Sequence, residues 1–193
     1  FWPMVKEICH KYGTLLIFDE IPTGLGKTGH MFACEHDKVV PDILVMGKAL
    51  GGGILPIAVV MTRPDLDVGR DWAFGHYTHE KNPVTARAAL TTIEIIEDEK
   101  LVDNAAQIGH VAMEKMQDMK KRHAVIGDCR GRGLLLGLEL VTSRDCKQPA
   151  HDLAEKVMYR CFDAGLSFKI TMGNVLTLTP PLTIKENDML QAL

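Results

Sequence analysis

Several things are scarce in this 193-residue chain, and each scarcity closes off a class of protein. No apolar run approaches the roughly 18 residues needed to cross a bilayer as a helix, so no membrane partner is expected. An excess of one charge is missing too: 22 Lys and Arg stand against 25 Asp and Glu, a net of −3. Proteins that grip nucleic-acid backbones are usually basic, so nucleic acid is not an expected partner. The five cysteines (Cys9, Cys34, Cys129, Cys146, Cys161) are widely spaced, with no Cys-x-x-Cys pair and no disulfide framework. That points to a reducing compartment, the cytoplasm. Repeats and low-complexity tracts are absent. An initiator Met is also lacking, and helical spacing starts at once with Phe1, Val5, Ile8 and Tyr12. No signal peptide is expected ahead of this helix. The far end stops inside another helix start, a Thr183-x-x-Glu186 capping box followed by Leu190 and Leu193. Both ends read as cut, and the expectation is a piece of a longer protein.

What is present is ordinary globular material, 46% hydrophobic and 24% charged, enough for a sizeable core. Gly13 is a natural stop for the opening helix. Residues 14–18 (Thr-Leu-Leu-Ile-Phe) read as a strand too apolar to be half exposed. Residues 21–41, with five glycines and prolines, read as loop with one short helix at most. Short apolar strands follow at 42–46 and 57–61. Asn82-Pro83 has the form of a helix start, and its apolar stripe (Ala86, Leu90, Ile93) runs to an acidic end near 98. A second amphipathic helix spans about 101–122, stepping through Leu101, Ala105, Ile108, Ala112, Met116 and Met119. Its basic end (Lys120, Lys121, Arg122) suits the negative pole of the helix dipole and reads as a solvated face. The methionines read as core. Strands at 133–140, 166–170 and 175–178 and a helix at 150–164 complete the pattern. The first half alternates strand and helix as an α/β layer with a parallel sheet does, and the second half reads as a smaller α+β domain. The boundary falls near 100–108.

Four motifs carry possible chemistry. Asp19 and Glu20 end the first apolar strand, the place where open α/β sheets hold ligands. They suit metal binding, acid–base work or pairing with a cofactor cation, and a merely solvated strand end is as good a reading of these two residues alone. Gly24-x-Gly26-x-x-Gly29 imitates a dinucleotide fingerprint. Two acids separate it from its strand, and they repel a pyrophosphate. The Gly26-Lys27-Thr28 resemblance to a P-loop fails because Ile21 stands where the first glycine belongs. Lys48 closes another apolar strand and is followed by Gly51, Gly52 and Gly53. A lysine desolvated at such a place has a lowered pKa and becomes a nucleophile. A surface lysine at a turn is the plainer alternative. The fourth motif is Gly75-His-Tyr-Thr78-His79-Glu-Lys-Asn82-Pro83, where a hydroxyl ahead of a helix can hold a phosphate. His76 and His79 have no third ligand spaced with them, so no metal is expected.

Together these residues resemble the class III aminotransferases, fold-type I enzymes that use pyridoxal 5′-phosphate (PLP). The resembling stretches are LLIFDEIPTGLGKTG, PDILVMGKALGGG, THEKNPVTARAAL, RGRGLLLGLEL and NVLTLTPPLTI, in the family's order and over nearly the whole chain. The resemblance implies an α/β fold. Residues 1–104 would be the C-terminal part of the PLP-binding large domain, a mainly parallel sheet with helices. Residues 105–193 would be a small, truncated α+β C-terminal domain. It further implies that Lys48 forms the Schiff base with PLP and shuttles protons. Asp19 pairs with the pyridine nitrogen, Ile21 packs on a ring face, and Thr78 binds the cofactor phosphate across a homodimer interface. The implied activity is transfer of an amino group between an amine or amino acid and a keto acid.

Three departures qualify that picture. Pro22 stands where the family commonly has a glutamine that contacts the cofactor's ring hydroxyl. Glu80 and Lys81 replace two frequent glycines. Thr177 takes the place of the arginine that many 2-oxoglutarate users set against a carboxylate, which removes a bidentate anchor. The DEIP-x-GLG and HYTHEKNP stretches are similar to the family's ammonia-lyases acting on 1-hydroxy-2-aminoethylphosphonate. Ammonia elimination from that compound or a similar amino alcohol is therefore the competing expectation. A nucleotide-binding module built on the 24–29 loop, and a non-catalytic fragment, are the remaining alternatives.

Overall fold

The structure, a computed structural model, describes residues 1–69, 71–72 and 78–193. The chain forms two compact units. One comprises Phe1–Gly26 and His30–Leu101, and the other Lys27–Gly29 and Val102–Leu193.

The first unit begins with α1 (Trp2–Lys11), which has Pro3 in its first turn, where a missing N–H costs nothing. Gly13, at φ 65°, follows its end. The sheet consists of β1 (Ile17–Asp19), β2 (Ile43–Met46) and β3 (Val59–Thr62) in that order. β1 and β2 run parallel, with Asp19 opposite Val45, and β3 returns antiparallel to β2. α2 (Pro83–Asp98) starts at Asn82, whose side chain accepts the Val84 N–H at 2.9 Å. The Lys48–Gly51 3₁₀ turn packs against α2.

The 14–18 segment differs from expectation. Only its end is strand, and Leu15 and Ile17 are 45% and 55% exposed while Leu16 is buried. Successive side chains point to opposite faces of the sheet, and the face that carries Ile17 is largely uncovered among the described residues. α1 likewise contributes no fully buried residue.

The second unit packs α3 (Leu101–Arg122) and α4 (His151–Asp163) with an antiparallel sheet of order β4-β5-β7-β6. The strands are β4 (Ile126–Arg132), β5 (Leu135–Leu140), β6 (Lys169–Thr171) and β7 (Val175–Leu178). Ala105, Ile108, Ala112 and Met116 line one stripe of α3. Leu136, Leu138 and Leu140 alternate inward from β5, and Ala154, Leu176 and Met189 complete the core.

β4 has no counterpart among the expected strands. A register shift between Ile126 and Asp128 places the buried Ile126 and Cys129 three residues apart, which erases the period-two signal. The strand expected at 133–140 begins only at Leu135, after the left-handed Gly133. The strand expected at 166–170 lies at 169–171. The Thr183–Glu186 capping box does not form. Glu186 is instead the first residue of α5 (Glu186–Ala192), and Lys185 takes the N-cap with no side-chain bond.

Candidate active site

The two strands that run parallel bring two predicted residues to one end of the sheet. Asp19 is the last residue of β1, and Lys48 stands two residues past the end of β2, its neighbour. Both side chains are exposed. This is the carboxyl edge of the parallel pair, the ligand-binding side of such sheets. Asp19 Oδ1 accepts the Ile21 N–H at 3.0 Å, which fixes the carboxylate's orientation. Ile21 comes next to the lysine's own segment. A Cβ on Gly47 would stand 3.6 Å from the Ile21 side chain and 3.6 Å from Ala58. Gly47 therefore leaves Ile21 a shallow seat immediately before Lys48.

The adjacent acids, alike in sequence, separate completely. Glu20 is 3% exposed. Its carboxylate accepts the Ala33 N–H at 3.1 Å, the Cys34 N–H at 2.9 Å and the Thr23 hydroxyl. Its backbone N–H donates to Val45 and its carbonyl accepts from Gly24 N–H, both at 2.9 Å. Glu20 is thus a buried carboxyl group whose oxygens are satisfied by protein donors, as burial of a polar group requires. It closes the two ends of the 21–34 loop and is not available to a ligand. Beneath it, burial pushes the Cys34 thiol above its usual range, with Glu20 and Glu35 adding to the effect.

The glycine loop does not build a nucleotide site. After Gly26 (φ 87°) and Gly29 (φ 85°) the chain stays in turns, and the next helix is a 3₁₀ segment at Ala33–Asp37. Lys27, Thr28 and Gly29 belong to the second unit. Lys27 Nζ donates to the Pro180 carbonyl at 2.7 Å, and its own carbonyl accepts the Leu134 N–H at 2.9 Å. A Cβ on Gly29 would press on Ala106 at 3.0 Å. The glycines serve close packing of a strap, and burial holds the Lys27 ammonium below its usual pKa. Among the described residues the loop leads into turns and a 3₁₀ segment, not directly into an α-helix, so the strand-to-helix turn of a dinucleotide fingerprint is not formed here.

Thr78 is exposed on the turn that leads to α2. No described contact joins it to Asp19, Ile21 or Lys48. Gly75, His76 and Tyr77 of its motif lie outside the described residues, and His79 is exposed. Among the described residues no group of three His, Cys, Asp or Glu side chains gathers as a metal cluster. No helix among them is long and apolar enough to cross a membrane. At the position of the third departure, Thr177 Oγ1 lies 2.7 Å from Thr171 Oγ1, so the two hydroxyls share a hydrogen bond.

Comparison with known proteins bears on this geometry. The family profile described as Aminotransferase class-III matches residues 1–193. The chain is 44% identical over 193 residues to the (R)-1-hydroxy-2-aminoethylphosphonate ammonia-lyase of Vibrio splendidus (strain 12B01), covering all of this chain and 40% of that protein. It is 42% identical to the leucine/methionine racemase of Thermococcus litoralis, covering 43% of it. Among solved structures, an amine transaminase from an uncultivated Pseudomonas species, determined in a PLP-bound form, superposes with a TM-score of 0.92. The two are 32% identical, and the match covers 100% of this chain and 46% of the other. The chain thus spans about 40% of the length of the curated relatives it matches.

Proposed function

The chain belongs to the class III aminotransferase family, and from that premise we propose that Lys48 holds the cofactor and moves the proton at the nitrogen-bearing carbon of a small amine or amino-acid substrate. Pyridoxal 5′-phosphate is the cofactor, and when bound it supplies an electron sink for charge left at that carbon. The observation that carries the reading is the pairing of β1 with β2, which sets a carboxylate and a primary amine at one sheet edge. That donor set fits the group. Asp19 would meet the ring nitrogen and keep it protonated, as an anion next to a basic nitrogen does. Ile21, seated over Gly47, would offer an apolar surface to a ring face. Lys48 Nζ would hold the carbonyl carbon of the cofactor and, once displaced by substrate, act as general base and acid. Thr78 would bind phosphate with its hydroxyl, supplied across a homodimer interface. Residues 1–104 are assigned to the PLP-binding large domain and 105–193 to the small C-terminal domain.

Two outcomes follow from the same proton transfer. In amino transfer, Lys48 would deliver the proton to a different carbon from the one it left, and the substrate nitrogen would end on a keto acid. In ammonia elimination, the hydroxyl on the neighbouring carbon would leave as water, and hydrolysis of the resulting enamine would release ammonia and a carbonyl product with no keto acid consumed. The second reading is favoured by the identity to the Vibrio lyase and by residue 177. There a threonine, bonded through its hydroxyl to Thr171, replaces the arginine whose planar fork clamps a keto-acid carboxylate.

Borohydride reduction of the PLP-loaded protein followed by peptide mapping tests the central assignment. The expected result is a phosphopyridoxyl adduct on Lys48, absent in Lys48→Ala, with turnover falling at least about 10²–10⁴-fold. Adducts spread over surface lysines refute it. Ammonia released without added keto acid selects elimination, and strict dependence on a keto acid selects amino transfer.

A further inference from the structure

We propose that Glu20 is a positioning residue for the cofactor site, acting through Asp19 and Ile21, and this rests on the assignment of those residues above. Glu20 lies between them in sequence and points away from them, into the protein. Every polar group it has is engaged: its N–H by Val45, its carbonyl by Gly24, and its carboxylate by Thr23, Ala33 and Cys34. A Cβ on Gly24 would stand 2.9 Å from the Glu20 carbonyl, so the turn is closed tightly over it. The bond to Val45 ties residue 20 to β2, the strand that leads to Lys48. Two consequences follow for its neighbours. The Ile21 N–H is held where it orients Asp19 Oδ1. The Ile21 side chain is held over Gly47, adjoining Lys48.

A carboxylate is the group this position needs. Three donors converge on two oxygens, and a carboxylate only accepts. Glutamine keeps the shape but turns an NH₂ toward at least one of the donors. The loop ends must then separate or rotate, and Ile21 moves with them. Glu20 is fully engaged by protein donors, so its effect on a cofactor is transmitted through residues 19 and 21.

The test uses the PLP-loaded protein and reads binding and spectra. Glu20→Gln is expected to weaken PLP binding about 10- to 100-fold, the cost typical of removing an outer-shell partner. The pH midpoint of the cofactor's visible band should move upward, and it should move further in Asp19→Asn. Loss of a well-held positive charge on the ring nitrogen makes the neighbouring nitrogen easier to protonate. The double variant Asp19→Asn/Glu20→Gln should show the midpoint of Asp19→Asn alone, because Asp19 is the route by which Glu20 reaches the ring nitrogen, while PLP affinity falls further through the displaced Ile21. Thr23→Val, which removes one donor and leaves the carboxylate, should move the midpoint in the same direction by less. Without cofactor, amide exchange at Ala33 and Cys34 should quicken in Glu20→Gln. Additive midpoint shifts in the double variant overturn the proposal. So does a Glu20→Gln protein that loses only thermal stability while its midpoint and PLP affinity stay unchanged. A visible band that persists in Lys48→Ala, or is missing from the unsubstituted protein, instead refutes the function on which the proposal rests.

Discussion

The two units are built differently. The second is closed on itself: Ala105, Ala112, Met116, Leu134 and Ala154 have no exposed surface, and β5 feeds its leucines inward without interruption. The first is open. Its buried apolar side chains are few, α1 has none, and Leu44 lines a cavity of about 610 Å³ between β2, β3 and the 32–42 loop. Yet the proposed site lies on the open unit, at the ends of β1 and β2. Sheet edges and loops expose functional groups, while a closed core makes a fold stable. The comparison teaches that what holds the first unit together is as much polar as apolar. Glu20 and Asp42, both buried carboxylates, anchor its two ends.

The largest expected effect separates the units by core truncation. Met116→Ala removes a wholly buried side chain from the closed core and should cost about 2–5 kcal/mol in urea unfolding. Leu44→Ala, beside an existing cavity, should fall at or below the low end of that range, because fewer packed neighbours are lost. Equal costs would break the comparison.

A smaller effect tests the polar anchor. Asp42 opens the segment that leads into β2, at the sheet end opposite Lys48. It accepts from Lys6 Nζ at 2.8 Å, the Leu16 N–H at 2.8 Å and Arg63 Nη1 at 3.0 Å. The Lys6 hydrogen bond, then the Leu16 N–H, hold its carboxyl below the usual carboxylate range. A folded-state pKa below the unfolded one means that the contribution is complete above about pH 4 and disappears as pH falls through the folded value. Asp42→Asn should cost about 1–3 kcal/mol at neutral pH. It should also flatten the acid limb of the stability–pH curve. A variant with an unchanged acid limb would show that the first unit does not depend on this cluster.

How much of this was legible in the sequence depends on how local the signal is. α2, α3 and α4 were readable because their apolar stripes are periodic and their ends carry ordinary stops, Asn82-Pro83 and Gly165 among them. β2 and β7 were readable as apolar runs. β4 was not, because its bulge shifts the inward residues out of phase. The exposure of Ile17 was not, because composition cannot tell a covered sheet face from an uncovered one. At the proposed site, Asp19 and Lys48 stand out in the sequence because each follows an apolar run, and the sheet brings them to one edge. The division of labour between Asp19 and Glu20 was invisible, since Glu20 finds backbone donors 13 and 14 residues away. The packing role of the 24–29 loop was hidden for the same reason. Its partners, Ala106, Leu134 and Pro180, lie far along the chain.

The smallest perturbation sharpens the comparison with one cysteine from each unit. Cys34 sits in the first unit, buried beside Glu20, with its thiol pushed up. Cys146 is exposed on the 142–148 loop of the second. There the Ser143 hydroxyl donates to its sulfur at 3.1 Å and the Thr142 hydroxyl lies 3.3 Å away. Ser143 first, and then Thr142 and the backbone at Gln148, lower its thiol to about 7. The thiolate is the reactive form. Alkylation at Cys146 should therefore rise through a midpoint near pH 7, reaching half its maximum there. Ser143→Ala should move that midpoint upward while leaving the unfolding curve in place. Cys34 should stay unmodified across the same range and react only as the first unit opens, so its labelling rate in rising urea reports the stability of that unit separately. If Cys34 reacts alongside Cys146 in the native protein, Glu20 and its three donors do not hold the loop closed.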